Sequence, residues 1–291
     1  MAETKTDGAA HPLLACIDGS GYADSVADHA GWAAGRLGAP ITLLQVLIPR
    51  EAASDDRSGR IIAGARRQLL QQLADLDHER AKLLQAQARL DLDEAAERLT
   101  TAGVEQVTKL LRHGELIETL HALEPEAAMI VIGKRGAETG VESGSLGSNL
   151  ERILRGVHRP VLIAARAFTP PSRALLAFDG RSSAMQAVDA VSRSPLFVDL
   201  PLTLAHCGKP DAAMTRRLDD AAGQLSAGGL SVETRVEEAE PQTALPAMVG
   251  RIGADLVIMG AYGHSRLRTM VIGSTTAQVI RDCKVPILVY R

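Results

Sequence analysis

Glycines and hydroxyl residues with a defined spacing stand near the end of the chain. Gly260-Ala-Tyr-Gly263 follows the apolar run 254–259, and after nine intervening residues comes Gly273-Ser274-Thr275, where a helix-like segment starts. Glycine accepts positive φ angles and lets the backbone approach a ligand closely. The free N–H groups and the dipole of a helix N-terminus favour an anion. This order of strand, glycine loop and helix predicts a nucleotide phosphate site.

The same order of motifs occurs twice. An apolar run ends in Asp18-Gly19, another ends in Asp179-Gly180, and each is followed by an Ala-rich helical segment and a second apolar run. Val46 lies 28 positions after Asp18, and Cys207 lies 28 positions after Asp179. Equal spacing with a matched pattern indicates an internal duplication.

Short continuous apolar runs alternate with helical segments in both copies. Such runs are typical of strands buried on both faces of a parallel sheet, so we predict an α/β fold of two tandem, doubly wound, Rossmann-like domains. The domains are expected at residues 1–167 and 172–291, on either side of a Pro-Pro linker. The first carries an insertion at 58–99, read as one or two amphipathic helices. These helices are expected to cover the sheet, with a protrusion for a partner as the alternative.

Bulk composition excludes several classes of function. Aromatic residues make up 2% of the chain and the net charge is -3, which argues against base-stacking platforms and a basic nucleic-acid surface. No apolar stretch approaches membrane-spanning length, and the N-terminal residues lack a signal-peptide pattern, so a cytoplasmic location is expected. Three scattered cysteines indicate neither a disulfide framework nor a zinc site.

The motifs together resemble the universal stress proteins, over nearly the whole chain and in two copies. The resemblance carries the pattern Gly-x-x-Gly, nine residues, Gly-Ser, after a strand and downstream of an early strand that ends in Asp. It implies a fold like that of the adenine nucleotide alpha hydrolases. It also implies that the final strand of each half, Val161–Ala164 and Pro286–Tyr290, pairs the two halves about a pseudo-two-fold axis.

The resemblance implies an ATP site in the second half. Asp179 would face the ribose or adenine, the strand around Cys207 would offer backbone groups to adenine, and Met259 would line the ribose and first phosphates together with Gly260. The residues expected around the phosphates are Gly263, His264, Arg266, Gly273, Ser274 and Thr275.

The first half departs from the pattern and is predicted to be a weaker site. Ten residues instead of nine separate Gly136 from Gly147. Glu138 and Glu142 lie in that loop and would repel phosphate, partly offset by Lys134 and Arg135. The corresponding candidate residues are Asp18, Val46, Ile132, Gly133, Gly136, Gly147, Ser148 and Asn149.

The leading hypothesis is a stress-response module that binds ATP, ADP or AMP. No Walker lysine or carboxylate cluster accompanies the loops, so we expect no protein-held metal, Mg²⁺ at most through the phosphates, and no more than slow ATPase activity. A homodimer is left open. An adenylating or ATP-pyrophosphatase enzyme is an alternative, because residues 20–25 resemble an SGGxDS loop, although Tyr22 replaces a glycine. A dimeric scaffold that binds no nucleotide is a second alternative.

Overall fold

A computed structural model describes residues 10–48, 64–134, 148–260 and 273–291 of the chain. In these ranges ten β-strands form one sheet, and eight α-helices accompany them. Strands and helices alternate in both halves, as the apolar pattern predicts. The predicted α/β class is confirmed.

The two halves have the same order of elements. The elements of the first half are β1 Leu13–Cys16, α1 Ala23–Leu37, β2 Ile41–Leu47, α2 Gly64–Thr101, β3 Val107–His113, α3 Leu116–Leu123, β4 Met129–Gly133, α4 Ser148–Gly156 and β5 Val161–Ala164. Those of the second half are β6 Ala174–Ala177, α5 Ser182–Arg193, β7 Leu202–Cys207, α6 Ala212–Ala227, β8 Val232–Glu237, α7 Pro241–Ile252, β9 Leu256–Gly260, α8 Ser274–Asp282 and β10 Ile287–Tyr290. Single 3-10 turns lie at Glu124–Glu126 and Pro195–Phe197.

The sheet runs β3-β2-β1-β4-β5-β10-β9-β6-β7-β8. Neighbouring strands are parallel within each half, whereas β5 and β10 pair antiparallel, with Leu162 opposite Leu288. The predicted pairing of the two final strands is therefore confirmed. Each half has the strand order of a doubly wound domain, whose topological switch point lies between its first and fourth strands.

Both faces of the sheet are buried. Along β4, Met129 and Val131 belong to one hydrophobic cluster, and Ile130 and Ile132 belong to the cluster on the other face. Alternate side chains of a strand point to opposite faces, so a continuous apolar run is what a doubly covered strand requires. The edge strands β3 and β8 are mostly exposed and carry charged residues, which discourages pairing with other chains.

Helix α2 covers the body along only part of its length. It is one continuous helix, and Ala88, Leu92, Ala95 and Leu99 in its C-terminal part are buried. Arg98 holds this part to α1 through two hydrogen bonds to Asp28, of 2.6 and 2.9 Å. In contrast, residue 69 and all of residues 71–84 are exposed. The expectation of a helix that covers the sheet holds for the C-terminal part alone, and the remainder projects from the body.

A buried carboxylate fixes the chain between α3 and β5. Glu124 accepts a 2.7 Å hydrogen bond from the backbone N–H of His158 and lies 3.2 Å from its Nδ1, and Arg159 donates to the Glu124 carbonyl at 2.9 Å. Burial alone would raise the pKa of Glu124, but the hydrogen bonds and charge of His158, together with a hydrogen bond from the backbone of Arg159, outweigh it and lower the pKa below its ordinary value. The ionised carboxylate therefore stabilises the approach to β5, the strand that joins the halves.

We predict that Glu124→Gln destabilises the protein at neutral pH by about 1–3 kcal/mol, because it weakens charge-assisted hydrogen bonds. A lowered folded-state pKa contributes stability above the unfolded-state pKa, and this contribution is lost as the pH falls through the folded value. Denaturant titrations from pH 7 to pH 3 should show the difference between wild type and variant shrinking toward acid pH. Glu126→Gln, an exposed neighbour, is the matched control; an equal loss at every pH would contradict this account.

Candidate functional site

The second-half residues predicted near the base and ribose meet at the switch point between β6 and β9. Ala177 is in register with Met259 on the neighbouring parallel strand. Asp179, two residues beyond the end of β6, therefore lies beside Gly260 at the carboxyl ends of these strands. Gly180 has a φ of 70°, and the Asp179 carboxylate accepts a 3.0 Å hydrogen bond from the N–H of Arg181. This turn holds the carboxylate beside the crevice where ligands of doubly wound sheets bind.

Gly260 permits an unusually close approach between β9 and α5. A Cβ at this position would lie 2.5 Å from the Oγ of Ser183 and 2.8 Å from the Ser183 carbonyl carbon. Since a backbone atom cannot rotate away, only glycine fits here without displacing α5. The sequence motif identified Gly260, whereas Ser183, its contact, was missed because it lies 77 residues earlier in the chain.

Cys207 ends β7, the strand next to β6, so its backbone reaches the same edge of the sheet. Burial and then the nearby Glu237 raise the pKa of the thiol to about 11, so it stays protonated and is no nucleophile at neutral pH. The preceding residue, His206, is buried, and its Nδ1 lies 2.9 Å from the carbonyl oxygen of Phe178. The side chain of Met259 is buried in the core, which leaves its backbone as the part that can face a ligand.

Helix α8 begins at a glycine N-cap, which has no side chain to cap the first backbone N–H groups. Gly273 is the N-cap residue and makes no side-chain cap hydrogen bond, and Ser274 and Thr275 are exposed in the first turn. Among the described residues, a Cβ at Gly273 would meet nothing closer than Thr276 Oγ1 at 3.8 Å, so these residues leave room there.

Several predicted residues lie outside the described part of the chain. They are Gly263, His264 and Arg266 in the second half and Gly136 and Gly147 in the first. The described ends of the second loop are Gly260 and Gly273, at the end of β9 and the start of α8. The phosphate contacts of these loops stay a prediction.

The first half repeats the backbone arrangement with different chemistry. Asp18 accepts a 3.1 Å hydrogen bond from the N–H of Ser20, as Asp179 does from Arg181, and Gly19 has a φ of 65°. However, Asp91 of α2 lies against this turn, with its Oδ2 2.8 Å from where a Gly19 Cβ would be. Gln45 donates to Asp91 at 3.3 Å. A second carboxylate thus stands near Asp18, and it was missed because nothing near it in sequence marks it.

In the second half, the residues that contact the corresponding turn are a methionine and an arginine instead of an aspartate. A Cβ on Gly180 would meet Met214 Cε at 2.9 Å, and Arg217 of α6 donates to the Gly180 carbonyl at 3.1 Å. The Arg181 guanidinium is 3.7 Å from the Asp179 carboxylate. The second turn is therefore surrounded by two arginines, whereas the first faces an additional aspartate.

The remaining first-half candidates lie near the carboxyl ends of β2 and β4 and at the start of α4. Ile132 and Gly133 end β4, Val46 lies near the end of β2, and Asn149 is in the first turn of α4, which begins at Ser148. Lys134, expected to offset the loop acids, donates a hydrogen bond to the carbonyl of Cys283 in the other half.

The described part of the chain has neither a metal-binding cluster nor a membrane-spanning helix. Within ranges 10–48, 64–134, 148–260 and 273–291, no group of three or more His, Cys, Asp or Glu side chains is arranged to hold a metal ion. None of the helices in these ranges is long and apolar enough to cross a membrane.

Comparison with known proteins assigns the chain to a family. The sequence model of the universal stress protein family matches residues 10–165 and 209–291. Universal stress protein Slr1230 of Synechocystis is 36% identical over 284 residues, which are 96% of this chain and 99% of that protein. A solved universal stress protein from Archaeoglobus fulgidus superposes with a TM-score of 0.74 over 97% of this chain and 98% of its own, and its 21% identity shows a shared fold. The chain belongs to the universal stress protein family.

Proposed function

We propose that the second half, residues 172–291, binds an adenine nucleotide and that the protein acts as a nucleotide-responsive module in a stress response. The observation that supports the proposal is that the strand ends at Asp179 and Gly260 form the switch point of the second half and that α8 begins at a glycine N-cap. Universal stress proteins of this tandem type are the relatives that the chain matches along its length.

The phosphates would bind at α8. The first N–H groups of a helix have no partner within the helix, and the dipole adds a partial positive charge there. Gly273 leaves open space beside these groups, and Ser274 and Thr275 can add hydroxyl donors. Gly263, His264 and Arg266 belong to the connecting loop and would complete the polyphosphate contacts. Mg²⁺ would bind through the phosphates rather than through a protein cluster.

The base and ribose would bind at the carboxyl ends of β6 and β7. Asp179 offers a carboxylate to the ribose hydroxyls, and the backbone at Cys207 offers donor and acceptor groups to the adenine edge. ATP, ADP and AMP share these two parts. The described residues of this site offer one carboxylate and a protonated thiol, which favours a binding module over an efficient enzyme. The proposed location is the cytoplasm.

Binding would be unequal between the halves. The first site faces Asp18 and Asp91, whereas the second faces Asp179 with Arg181 and Arg217 nearby. An additional negative charge close to a polyphosphate opposes its binding, and the screening by water at an exposed site reduces this effect without abolishing it. The acids Glu138 and Glu142 of the first loop act in the same direction.

We predict that Gly273→Val weakens ATP binding at least about tenfold, or about 1.4 kcal/mol, because the added carbons fill the space beside the α8 N–H groups. The open surroundings of Gly273 should leave the fold intact. Isothermal titration with Mg·ATP on the full chain measures the effect. The matched control is Gly147→Val in the first half, which should leave the tighter binding event unchanged. Weaker binding in the control alone would reverse the assignment of the sites, and wild-type protein that takes up no nucleotide would favour the scaffold alternative.

The same titration tests the role of Asp91. In the Gly273→Val background, Asp91→Asn should raise the residual ATP affinity by roughly twofold to fivefold, because one partly solvated unit charge near phosphate costs roughly 0.5–1 kcal/mol. Asp93→Asn, two residues further along α2 and paired with Lys109, is the control. An unchanged affinity for Asp91→Asn would show that this carboxylate does not set the difference between halves.

A further inference from the structure

The projecting part of α2 carries an apolar surface that no described residue covers. The exposed leucines of α2, called here the leucine stripe, are Leu69, Leu73, Leu76, Leu83, Leu84 and Leu90; all but Leu90 lie in the projecting part, and their exposed fractions run from 50% to 71%. Single exposed leucines are ordinary, but six along one side of a helix are typical of an interaction surface. The projecting residues, 64–84, extend about 30 Å as a helix. Helices in proteins gain most of their stability from the packing of an amphipathic face, so a partner along this segment would stabilise it.

The leucines repeat with the period of a coiled coil. Leu69, Leu76, Leu83 and Leu90 are spaced seven residues apart, and Leu73 lies four residues after Leu69. The four leucines spaced by seven correspond to the d positions of a heptad, and Leu73 corresponds to an a position. The a and d positions form the seam along which two helices pack. Arg80 and Gln87 occupy the following a positions. Polar residues at a positions specify register and oligomeric state at some cost in stability.

The leucine stripe is separate from the face that packs on the body. Ala88, Leu92, Ala95 and Leu99 are buried against the body and repeat at helical spacing. At the 3.6 residues per turn of an α-helix, this buried face is rotated by roughly 110° from the centre of the leucine stripe. Leu90 shows the separation directly, because it is 55% exposed although Ala88 and Leu92 beside it are buried. One helix can therefore hold the body with one face and a second helix with another.

The charges beside the stripe are self-complementary in one orientation. Asp75 and Asp77 precede the centre of the projecting segment, and Arg80 and Lys82 follow it. If two copies pair antiparallel about a centre between residues 78 and 79, Asp77 of each copy meets Arg80 of the other. Asp75 and Lys82 both fall at c positions of the heptad, away from the seam. A parallel pair in register would instead place Arg80 against Arg80. Lys82 also bonds Glu79 of its own helix at 3.0 Å, a contact compatible with either orientation.

We propose that two copies of this chain associate through their α2 helices, which form an antiparallel coiled coil along the leucine stripe. In that arrangement Leu73 of one copy lies beside Leu84 of the other, and the opposite charges of Asp77 and Arg80 set the register. The sheet edges are not needed for this contact, because β5 and β10 already pair within one chain. The dimer would present two complete tandem units at the ends of a shared helical rod.

Sedimentation velocity on the full-length protein tests the contact. Wild type is expected to sediment as a dimer, and Leu76→Glu/Leu83→Glu is expected to halve the mass to that of a monomer, because it places charges in the apolar seam. The control, Gln71→Glu/His78→Glu, adds the same number of acids on the opposite face and should remain a dimer. Circular dichroism checks that the helix content of both variants matches. A monomeric wild type, or a Leu76→Glu/Leu83→Glu variant that stays dimeric, overturns the proposal and redirects the stripe to a different partner.

Charge reversal tests the orientation. Asp77→Arg and Arg80→Glu should each weaken the dimer several-fold, since each places like charges together across the antiparallel pair. The combined variant, Asp77→Arg/Arg80→Glu, should recover most of the wild-type dissociation constant, because the opposite charges meet again. Failure of the combined variant to recover affinity would rule out the antiparallel register, even if the leucine substitutions abolish the dimer.

Discussion

The backbone of β5 and β10 sets the geometry of the whole molecule. Each strand closes a doubly wound half and would otherwise present a row of unpaired amide and carbonyl groups. Their antiparallel pairing, with Leu162 opposite Leu288, satisfies these groups and joins both halves into one sheet. Because the join is antiparallel, the strands of the two halves point in opposite directions. The carboxyl ends of the strands, and with them the two crevices, therefore lie on opposite sides of the molecule. The same pairing leaves β3 and β8 as the outer edges, and their charges protect them.

Duplication has preserved the backbone of the crevice more closely than its chemistry. Asp18 and Asp179 accept equivalent hydrogen bonds beyond β1 and β6, and the following glycines share a left-handed conformation. The difference arises from the helix after the second strand, which brings Asp91 to one turn and Arg217 to the other. Under the proposed function, contacts that lie far away in sequence would give the two crevices different affinities. The unequal α2 and α6 supply these contacts, and the glycine loops differ in length as well.

The sequence could predict what depends on local spacing and composition. Continuous apolar runs predicted the parallel strands, the Asp-Gly pairs predicted the strand ends, and the repeat predicted two equivalent halves. The pairing of the final strands was implied by the family resemblance. The extent of the α2 projection was underestimated, because its exposed leucines satisfy the same periodicity as a buried helix face. Asp91, Met214, Ser183 and Arg217 could not be placed at the crevices, since each meets a glycine turn or strand end from another element.

The sequence by itself determined the fold class, the duplication and the motif residues around Asp179 and Gly260, because each depends on short-range periodicity or on conformations that only certain residues accept. Tertiary structure decided which side chains surround each glycine turn, which face of α2 packs on the body, and that Gly260 abuts Ser183. These contacts join residues tens of positions apart, and their distances follow from how whole helices pack on the sheet. No spacing along the chain encodes that packing, so the contribution of Asp91 and Arg217 to the charge difference between the two crevices became visible only in the folded protein.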